Sequence, residues 1–440
     1  HSNPRPNPML FLLPALLLAS PAPQGIRTPE VLSNPSAHPA AGLQSTAAVA
    51  PLGTLPVVML TGYWPPTNEA VRRFSPSPTQ NPLGWIGADW EGRGYDVYSY
   101  FPEFTPPNCF SCGTGTGDLE VDYQDTSADF WAIANALQPV AIITFSRGAI
   151  GLSWEVEMNQ YNRTSWVNDY VAPTQPTPVP PDASVPGNYL RLSSLPVDRI
   201  VQAVTQANLG LAPAVCYSGN GGGFVSEFIA YHGVWYKELH DDAGDPTPCY
   251  AAGHIHVGTQ VSWPVAEEAV KISLREVLLK VDCARSGNPC DTWCDPMDAN
   301  STGFPTVLAG SWTAPGGSNL HLRASSGPPD QFGYFLVGNE HSLQGVPISQ
   351  GRLCLGTGAG AILSRYNVVG TVMDSLGQFD ATGTFVNLSG TSSTGTGFDV
   401  PMALPYLAGS IQAGQTWHFQ LWHREDMGQA NFSNALSVNF

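Results

Sequence analysis

Residues 212–231 read APAVCYSGNGGGFVSEFIAY: a short apolar run, a glycine-rich loop and a segment with helical spacing of apolar residues. The run at 212–216 predicts a strand, and the residues from 223 to 238 predict a helix. A glycine-rich turn between a strand and a helix leaves backbone N–H groups free to hold an anion or a developing oxyanion. No lysine follows the glycines as it does in a Walker loop. A turn that serves only the fold is the alternative interpretation.

The segments on either side of this loop continue the alternation of strands and helices. Strands are predicted at 57–61, 96–101, 140–145 and 253–257, and helices at 126–137, 196–207 and 264–281. Such alternation predicts a three-layer α/β domain with a mostly parallel sheet, which we place at 56–282. A cysteine-containing linker follows at 283–303. From 304 to 440, short β-like runs separated by Gly, Ser, Thr and Pro predict an all-β sandwich domain.

The start of the chain predicts export. Residues 9–19 are mostly apolar, but they are too few to span a bilayer and are interrupted by Pro14. With Arg5 before them and small residues after, they are typical of a signal peptide, which with its preceding residues takes up 1–27. Residues 28–55 predict a flexible leader, and no later stretch predicts a membrane span. We therefore expect a secreted or periplasmic protein.

Composition excludes some partners and favours disulfides. Asp and Glu number 35 against 18 Lys and Arg, for a net charge of −17, which excludes a phosphate-backbone binder and hence a nucleic-acid partner. The eight cysteines fit disulfides in an exported protein better than a zinc site, although the sequence does not give their pairing.

Two short segments carry candidate chemical groups. Residues 253–257 place His254 and His256 on one side of a predicted strand, where such a pair is structural, catalytic or metal-binding. We predict no metal ligand and no cofactor. Glu155 and Glu157 lie in an apolar context, and by themselves are interpreted as surface carboxylates on a helix.

Together these segments resemble the pyroglutamyl-peptidase (pyrrolidone-carboxylate peptidase) family over about 56–282. The family's loop, roughly Ser-x-x-Ala-Gly-x-Tyr-Leu-Cys with a Tyr five residues on, matches 218–231 without a gap. Residues 253–257 resemble its Gly-Phe-Ile-His-Val. Further similar segments are Ser193-Ser194-Leu195-Pro196-Val197, Leu60-Thr61-Gly62-Tyr63 and Asn81-Pro82.

The resemblance implies a catalytic site with one substitution. Ser226 stands where the family has its nucleophilic Cys, His256 matches the catalytic base, and Glu157 has the Glu-x-x-x-x-Asn spacing, with Asn162, of the Glu that orients the base. A serine hydroxyl needs a well-aligned base, which a Ser-His-Glu triad supplies. The substrate-binding residues implied are Tyr63, Gly222, Phe224 and Asn162.

The resulting hypothesis is an exported hydrolase that cleaves an amide bond at the N-terminus of a peptide or in a small amide. The alternative is a catalytically inactive binding or surface protein with the same fold. A third hypothesis is an α/β-hydrolase that acts through Ser146, which follows a buried strand in a degraded Gly-x-Ser-x-Gly pattern. In the predicted sandwich, Trp417 and Phe419 alternate as on a buried strand face; a surface or carbohydrate contact is the alternative.

Overall fold

The predicted strands and helices form a six-stranded sheet with helices on both faces. The structure is a computed structural model that describes residues 53–440, apart from 110–111, 150, 219–220, 243, 295–296, 315–317, 357, 359 and 407–408. The predicted signal peptide and most of the leader lie outside these residues. The helices are α1 Thr67–Val71, α2 Tyr123–Leu137, α3 Val197–Gln206, α4 Val225–Leu239 and α5 Trp263–Arg285, with short 3₁₀ helices at Arg72–Phe74, Trp90–Gly92 and Asp426–Gly428.

The first ten strands build the central sheet and two small hairpins. They are β1 Val57–Tyr63, β2 Asp96–Tyr100, β3 Pro102–Glu103, β4 Thr116–Gly117, β5 Ala141–Arg147, β6 Ser153–Glu157, β7 Asn159–Tyr161, β8 Leu190–Leu192, β9 Ala212–Cys216 and β10 Ala251–Val257. The sheet has the order β2-β1-β5-β10-β6-β9. Strands β1, β2, β5 and β10 are parallel, whereas β6 is antiparallel to β10 and β9 is parallel to β6. The sheet is therefore mostly parallel, as predicted.

Alternation along the strands supplies an apolar layer to each face of the sheet. Leu60, Ile143 and Ile255 join a core with α1, α3 and α5, whereas Met59 and Ile142 join a core with α2 and α4. Both layers are buried, which explains why these strands are near-continuous apolar runs in the sequence. On the α4 side, β5 and β10 also carry the polar residues of the candidate site.

Most predicted boundaries lie within a few residues of the observed ones, with one error of type. Residues 154–157 were favoured as a surface helix and instead belong to strand β6, between β10 and β9. Their Trp-Glu-Val-Glu alternation has the period of a strand, with Trp154 and Val156 buried on one face. The two carboxylates consequently share the other face with His254 and His256.

The region after α5 is built of antiparallel sheets, consistent with a β domain. Its strands are β11 Asp291–Trp293, β12 Val307–Ala314, β13 Ser318–Ser325, β14 Phe332–Gly338, β15 His341–Ile348, β16 Gly351–Leu355, β17 Leu363–Arg365, β18 Gly377–Phe379, β19 Phe385–Asn387, β20 Phe398–Asp399, β21 Thr416–Arg424 and β22 Ala430–Asn439. The largest sheet follows β11-β22-β21-β14-β18-β19, and β12-β13-β20 form another. Strand β11 lies inside the predicted linker at 283–303, and its Trp293 packs into a core of this region.

Trp417 and Phe419 point into the core that the two sheets share, where both are buried. Since no face of either ring is offered to a ligand, the alternative of a carbohydrate platform on these residues is not supported. The buried-strand interpretation explains their alternation.

Six of the cysteines form disulfides: Cys109–Cys112, Cys283–Cys290 and Cys294–Cys354. Disulfides were predicted, and the structure supplies the pairing that the sequence could not give. Cys216 and Cys249 are free. Within the described part of the chain, no helix combines the length and apolar character needed to cross a membrane.

Candidate active site

A buried imidazole–carboxylate pair joins two neighbouring strands of the central sheet. His256, near the end of β10, donates from Nδ1 to Oε1 of Glu157 on β6 at 2.8 Å. Both side chains are buried, with 6% and 4% exposed. With the proton on Nδ1, the Nε2 lone pair of His256 is free to accept another proton. This arrangement is what a general base and its orienting carboxylate require.

Ser226 lies in the first turn of helix α4, beside this pair. The residue that precedes the helix, Phe224, has an extended backbone and provides no side-chain cap. The first N–H groups of a helix have no partner within it, so this uncapped end carries partial positive charge. Ser226 Oγ donates to the carbonyl oxygen of Gly221 at 3.5 Å, and none of the contacts among the described residues joins it to His256.

The glycines before α4 allow the loop to approach His256 closely. A Cβ on Gly221 would lie 2.9 Å from His256 Cε1 and 3.5 Å from its Nε2, so only glycine fits there without displacing the ring. Gly222 and Gly223 have φ of +89° and +65°, which side chains rarely adopt. Gly221 thus touches His256 with one side and accepts from Ser226 with its carbonyl, which brings the base and the candidate nucleophile to the same loop.

An ion pair next to Ser226 was not predicted from the sequence. Glu227 is buried and pairs with Arg163, and its Oε2 accepts the N–H of Gly223 at 2.9 Å. Burial raises the pKa of the Glu227 carboxyl, and the Arg163 guanidinium opposes that rise. The pair therefore fixes the glycine loop to the start of α4. Its sequence signal is weak and consists of adjacency: Arg163 directly follows Asn162, and Glu227 directly follows Ser226.

The four predicted substrate-binding residues occupy different environments. Tyr63 is buried, and its hydroxyl bonds Thr126 Oγ1 at 2.6 Å. Asn162 is fully buried, and its side chain bonds the backbone of residues 182–186. Gly222 belongs to the loop beside Ser226. Of the four, Phe224 is the side chain that adjoins the candidate nucleophile.

Aromatic rings surround Phe224. Its ring stacks on Trp64, with centroids 5.8 Å apart and planes within 8°, and meets the edges of Tyr123 and Tyr170. Tyr170 is about half exposed, so the cluster reaches the surface. Among the described residues, the buried Nε1 of Trp64 has no hydrogen-bond partner. The sequence analysis did not identify Trp64, although it follows the predicted residue Tyr63 directly.

The rival nucleophile Ser146 also contacts a histidine. Its Oγ lies 2.8 Å from Nε2 of His254, whose Nδ1 lies 2.7 Å from Thr144 Oγ1. All three side chains are fully buried, and burial holds the pKa of His254 well below its usual range. Thr144 rather than a carboxylate occupies the third position, so this set has no orienting charge among the described residues, and its complete burial denies access to a substrate. It forms a polar support beneath His256, whose ring lies 4.5 Å from that of His254.

Two further groups adjoin the His256–Glu157 pair. Cys216, on strand β9, is the strand partner of Glu157; its thiol bonds Ser218 Oγ at 3.1 Å, and burial raises its pKa. Glu155 is the direct strand partner of His256. Glu155, Glu157 and His256 each offer one possible metal-ligand atom, and these atoms lie within 4.8 Å of one another.

Comparison with known proteins gives structural neighbours only. No protein-family model matches the chain, and no curated protein matches it. Among solved structures it is similar to a variant of pyrrolidone carboxyl peptidase from Pyrococcus furiosus, with 15% identity over 51% of this chain and 99% of that one, at a TM-score of 0.36. The chain is also similar to pyroglutamyl peptidase I from Bacillus amyloliquefaciens, with 19% identity over 51% of this chain and 96% of that one, at a TM-score of 0.36. At these values the likeness carries no argument about activity.

Proposed function

We propose that this chain is an exported hydrolase that cleaves an amide bond at a peptide N-terminus through Ser226, His256 and Glu157. The observation that carries the proposal is the buried hydrogen bond of 2.8 Å from His256 Nδ1 to Glu157. It leaves Nε2 as the proton acceptor and places it against the loop that precedes Ser226. A base, an orienting carboxylate and a hydroxyl at an uncapped helix start are the parts of an acyl-transfer site.

The reaction begins when Ser226 Oγ turns from the Gly221 carbonyl toward His256 Nε2. Catalytic hydrogen bonds are often long without substrate and shorten when it binds. His256 takes the Oγ proton while Oγ bonds to the substrate carbonyl carbon, and the first N–H groups of α4 stabilise the oxyanion. His256 then gives its proton to the leaving amine as the C–N bond breaks. Water, deprotonated by the same imidazole, hydrolyses the acyl-Ser226 ester.

The aromatic cluster around Phe224 supports a substrate whose N-terminal group is compact and apolar. Flat apolar groups bind well against the rings of Trp64 and Phe224. The unpartnered Nε1 of Trp64 offers one donor for a carbonyl oxygen of the same group.

Export is supported by two features. Three disulfides are typical of proteins that fold in an oxidising compartment. The apolar run at 9–19 supplies the signal for it.

A second candidate function is a non-catalytic binding protein that uses the same cleft. The observation in its favour is that the Ser226 hydroxyl donates to the Gly221 carbonyl oxygen rather than to His256.

The test uses aminoacyl and pyroglutamyl amides of a fluorogenic amine, with the wild type, Ser226→Ala and Ser226→Cys. We expect the wild type to hydrolyse at least one amide and Ser226→Ala to lose about 10³-fold or more in kcat. The Ser226→Cys thiol, which ionises more readily, should retain acylation activity. A folded Ser226→Ala protein with unchanged activity would refute the proposal, and inactivity of both wild type and Ser226→Cys would favour the binding protein.

A further inference from the structure

Glu155, Glu157 and His256 lie on one face of the sheet, and each offers an atom that can bind a metal ion. The proposed reaction does not use all three residues. The reaction needs the Glu157 carboxylate, but it gives no role to Glu155. Both carboxylates lie on β6 and meet the imidazole of β10 across an antiparallel pair. Their three donor atoms fall within 4.8 Å of one another, and the Nδ1–Oε1 distance is already 2.8 Å. Ligand atoms around a tetrahedral Zn²⁺ lie about 3.3 Å apart, since each is about 2.0–2.2 Å from the metal. Small side-chain rotations therefore bring the three donor atoms to the spacing of ligands around one Zn²⁺.

The charges favour a divalent cation. Two carboxylates share a partly and fully buried face with an imidazole, and a further carboxylate that interacts with Glu157, that of Glu227, is paired with Arg163. An imidazole ligand selects zinc and its neighbours over magnesium and calcium, which prefer all-oxygen sites.

A second observation points to the same class of metal. Cys216, which has a free thiol, is the strand partner of Glu157 on the adjoining strand β9, and its Sγ lies 3.1 Å from Ser218 Oγ. A sulfur donor next to imidazole and carboxylate oxygen is a ligand that zinc accepts and magnesium does not. Glu155 is half-buried rather than enclosed, and β6 lies one strand from the edge of the sheet, so an ion can reach the group.

We propose that Glu155, Glu157 and His256 bind Zn²⁺, and that the bound cation switches off His256. A metal at Nδ1 needs the lone pair there, so the imidazole proton moves from Nδ1 to Nε2 with no net gain or loss of protons. Nε2 then carries a hydrogen and no longer accepts the proton of Ser226. The binding site stands on the donor geometry alone, whereas its inhibitory effect rests on the proposed function.

The test is titration of the chelator-treated full-length protein with Zn²⁺ by calorimetry. The variants are Glu155→Gln, which removes one ligand charge, and Glu268→Gln as a matched control on an exposed position of α5. We expect a site that Glu155→Gln weakens about 10- to 100-fold or more, with the control unchanged and Mg²⁺ not competing. The described pairs His240–Asp245 and His321–Asp399 lack a third ligand, so a site there would not respond to Glu155→Gln.

Two results would overturn the proposal, and they are separable from failure of the proposed function. Absence of Zn²⁺ binding, or equal affinity in wild type and folded Glu155→Gln, would refute the site whether or not the protein is active. If the site binds and amide hydrolysis proceeds undiminished at saturating Zn²⁺, the inhibitory role is refuted. Inhibition that a chelator reverses, at the concentration where calorimetry shows binding, would support both parts.

Discussion

Replacement of Glu157 by Gln tests the pairing on which the proposed chemistry depends. The substitution keeps the size of the side chain and removes its charge. In the wild type, Glu157 accepts from His256 Nδ1 at 2.8 Å in a buried site. A glutamine either accepts from Nδ1 without charge, or donates to it and leaves the proton on Nε2. Both arrangements weaken His256 as a base.

The expected loss follows from the strength of that hydrogen bond. A hydrogen bond to a charged group contributes about 1.5–3 kcal/mol, and here it strengthens when His256 becomes protonated in the transition state. At about 1.36 kcal/mol for each factor of ten, the loss in kcat/KM is about 10- to 150-fold. The loss should fall on kcat rather than KM, because Glu157 does not touch the substrate.

The assay is hydrolysis of the best amide substrate by wild type, Glu157→Gln and the exposed control Glu268→Gln, with circular dichroism to confirm the fold. Because Glu157 is buried, the thermal unfolding midpoint of the Glu157→Gln protein is measured as well. A folded Glu157→Gln protein with kcat/KM within about threefold of the wild type would refute the role of Glu157 as the orienting carboxylate.

Three further substitutions test the loop, the ion pair and a half-buried acid. Gly221→Ala places a Cβ 2.9 Å from His256 Cε1, so we expect about tenfold or greater loss of kcat with little change in the unfolding midpoint; full activity would contradict the close approach. Glu227→Gln removes the carboxylate charge that pairs with the Arg163 guanidinium and should destabilise the fold by about 1–3 kcal/mol in urea unfolding, against no change if the pair is dispensable. Burial raises the pKa of Asp125 to about 7, so the folded protein favours the protonated carboxyl. Ionisation of that carboxyl therefore lowers the free energy of unfolding as pH rises from about 4 to 8. Asp125→Asn should therefore stabilise by about 1–2 kcal/mol at pH about 8, after allowance for partial exposure, and by little at pH about 4; a pH-independent effect would contradict this.

The fold of the α/β region was predictable because its strands are buried on both faces. Runs such as 57–61 and 140–145 contain one threonine each and no charged residue, and their predicted boundaries lie within two residues of those of β1 and β5. Strand β6 was missed although residues 154–157 alternate with the period of a strand, because four residues are too few to exclude a helix without the neighbouring strands β10 and β9. The disulfide pairing depends on which cysteines the fold brings together, and the spacing of the cysteines in the sequence does not determine that.

Site residues that lie within one short motif were predictable from the sequence. Contacts that depend on the register between strands were not. Ser226 and the glycines lie within one loop, and the resemblance placed His256 and Glu157 in the same site. The contact of Ser146 with His254 joins residues 108 apart in the chain, and it exists because β5 and β10 align Thr144 with His254. The ion pair of Arg163 with Glu227 likewise requires the loop after β7 to return to α4.

Covalent labelling distinguishes a Ser226 nucleophile that His256 activates from an unreactive serine. The wild type, His256→Ala and Ser146→Ala proteins are treated with a fluorophosphonate, digested and mapped by mass spectrometry. The account predicts a phosphonyl adduct on Ser226 in the wild type and in Ser146→Ala, and its loss in folded His256→Ala. An adduct on Ser146, or none on Ser226 in the folded wild type, would contradict it.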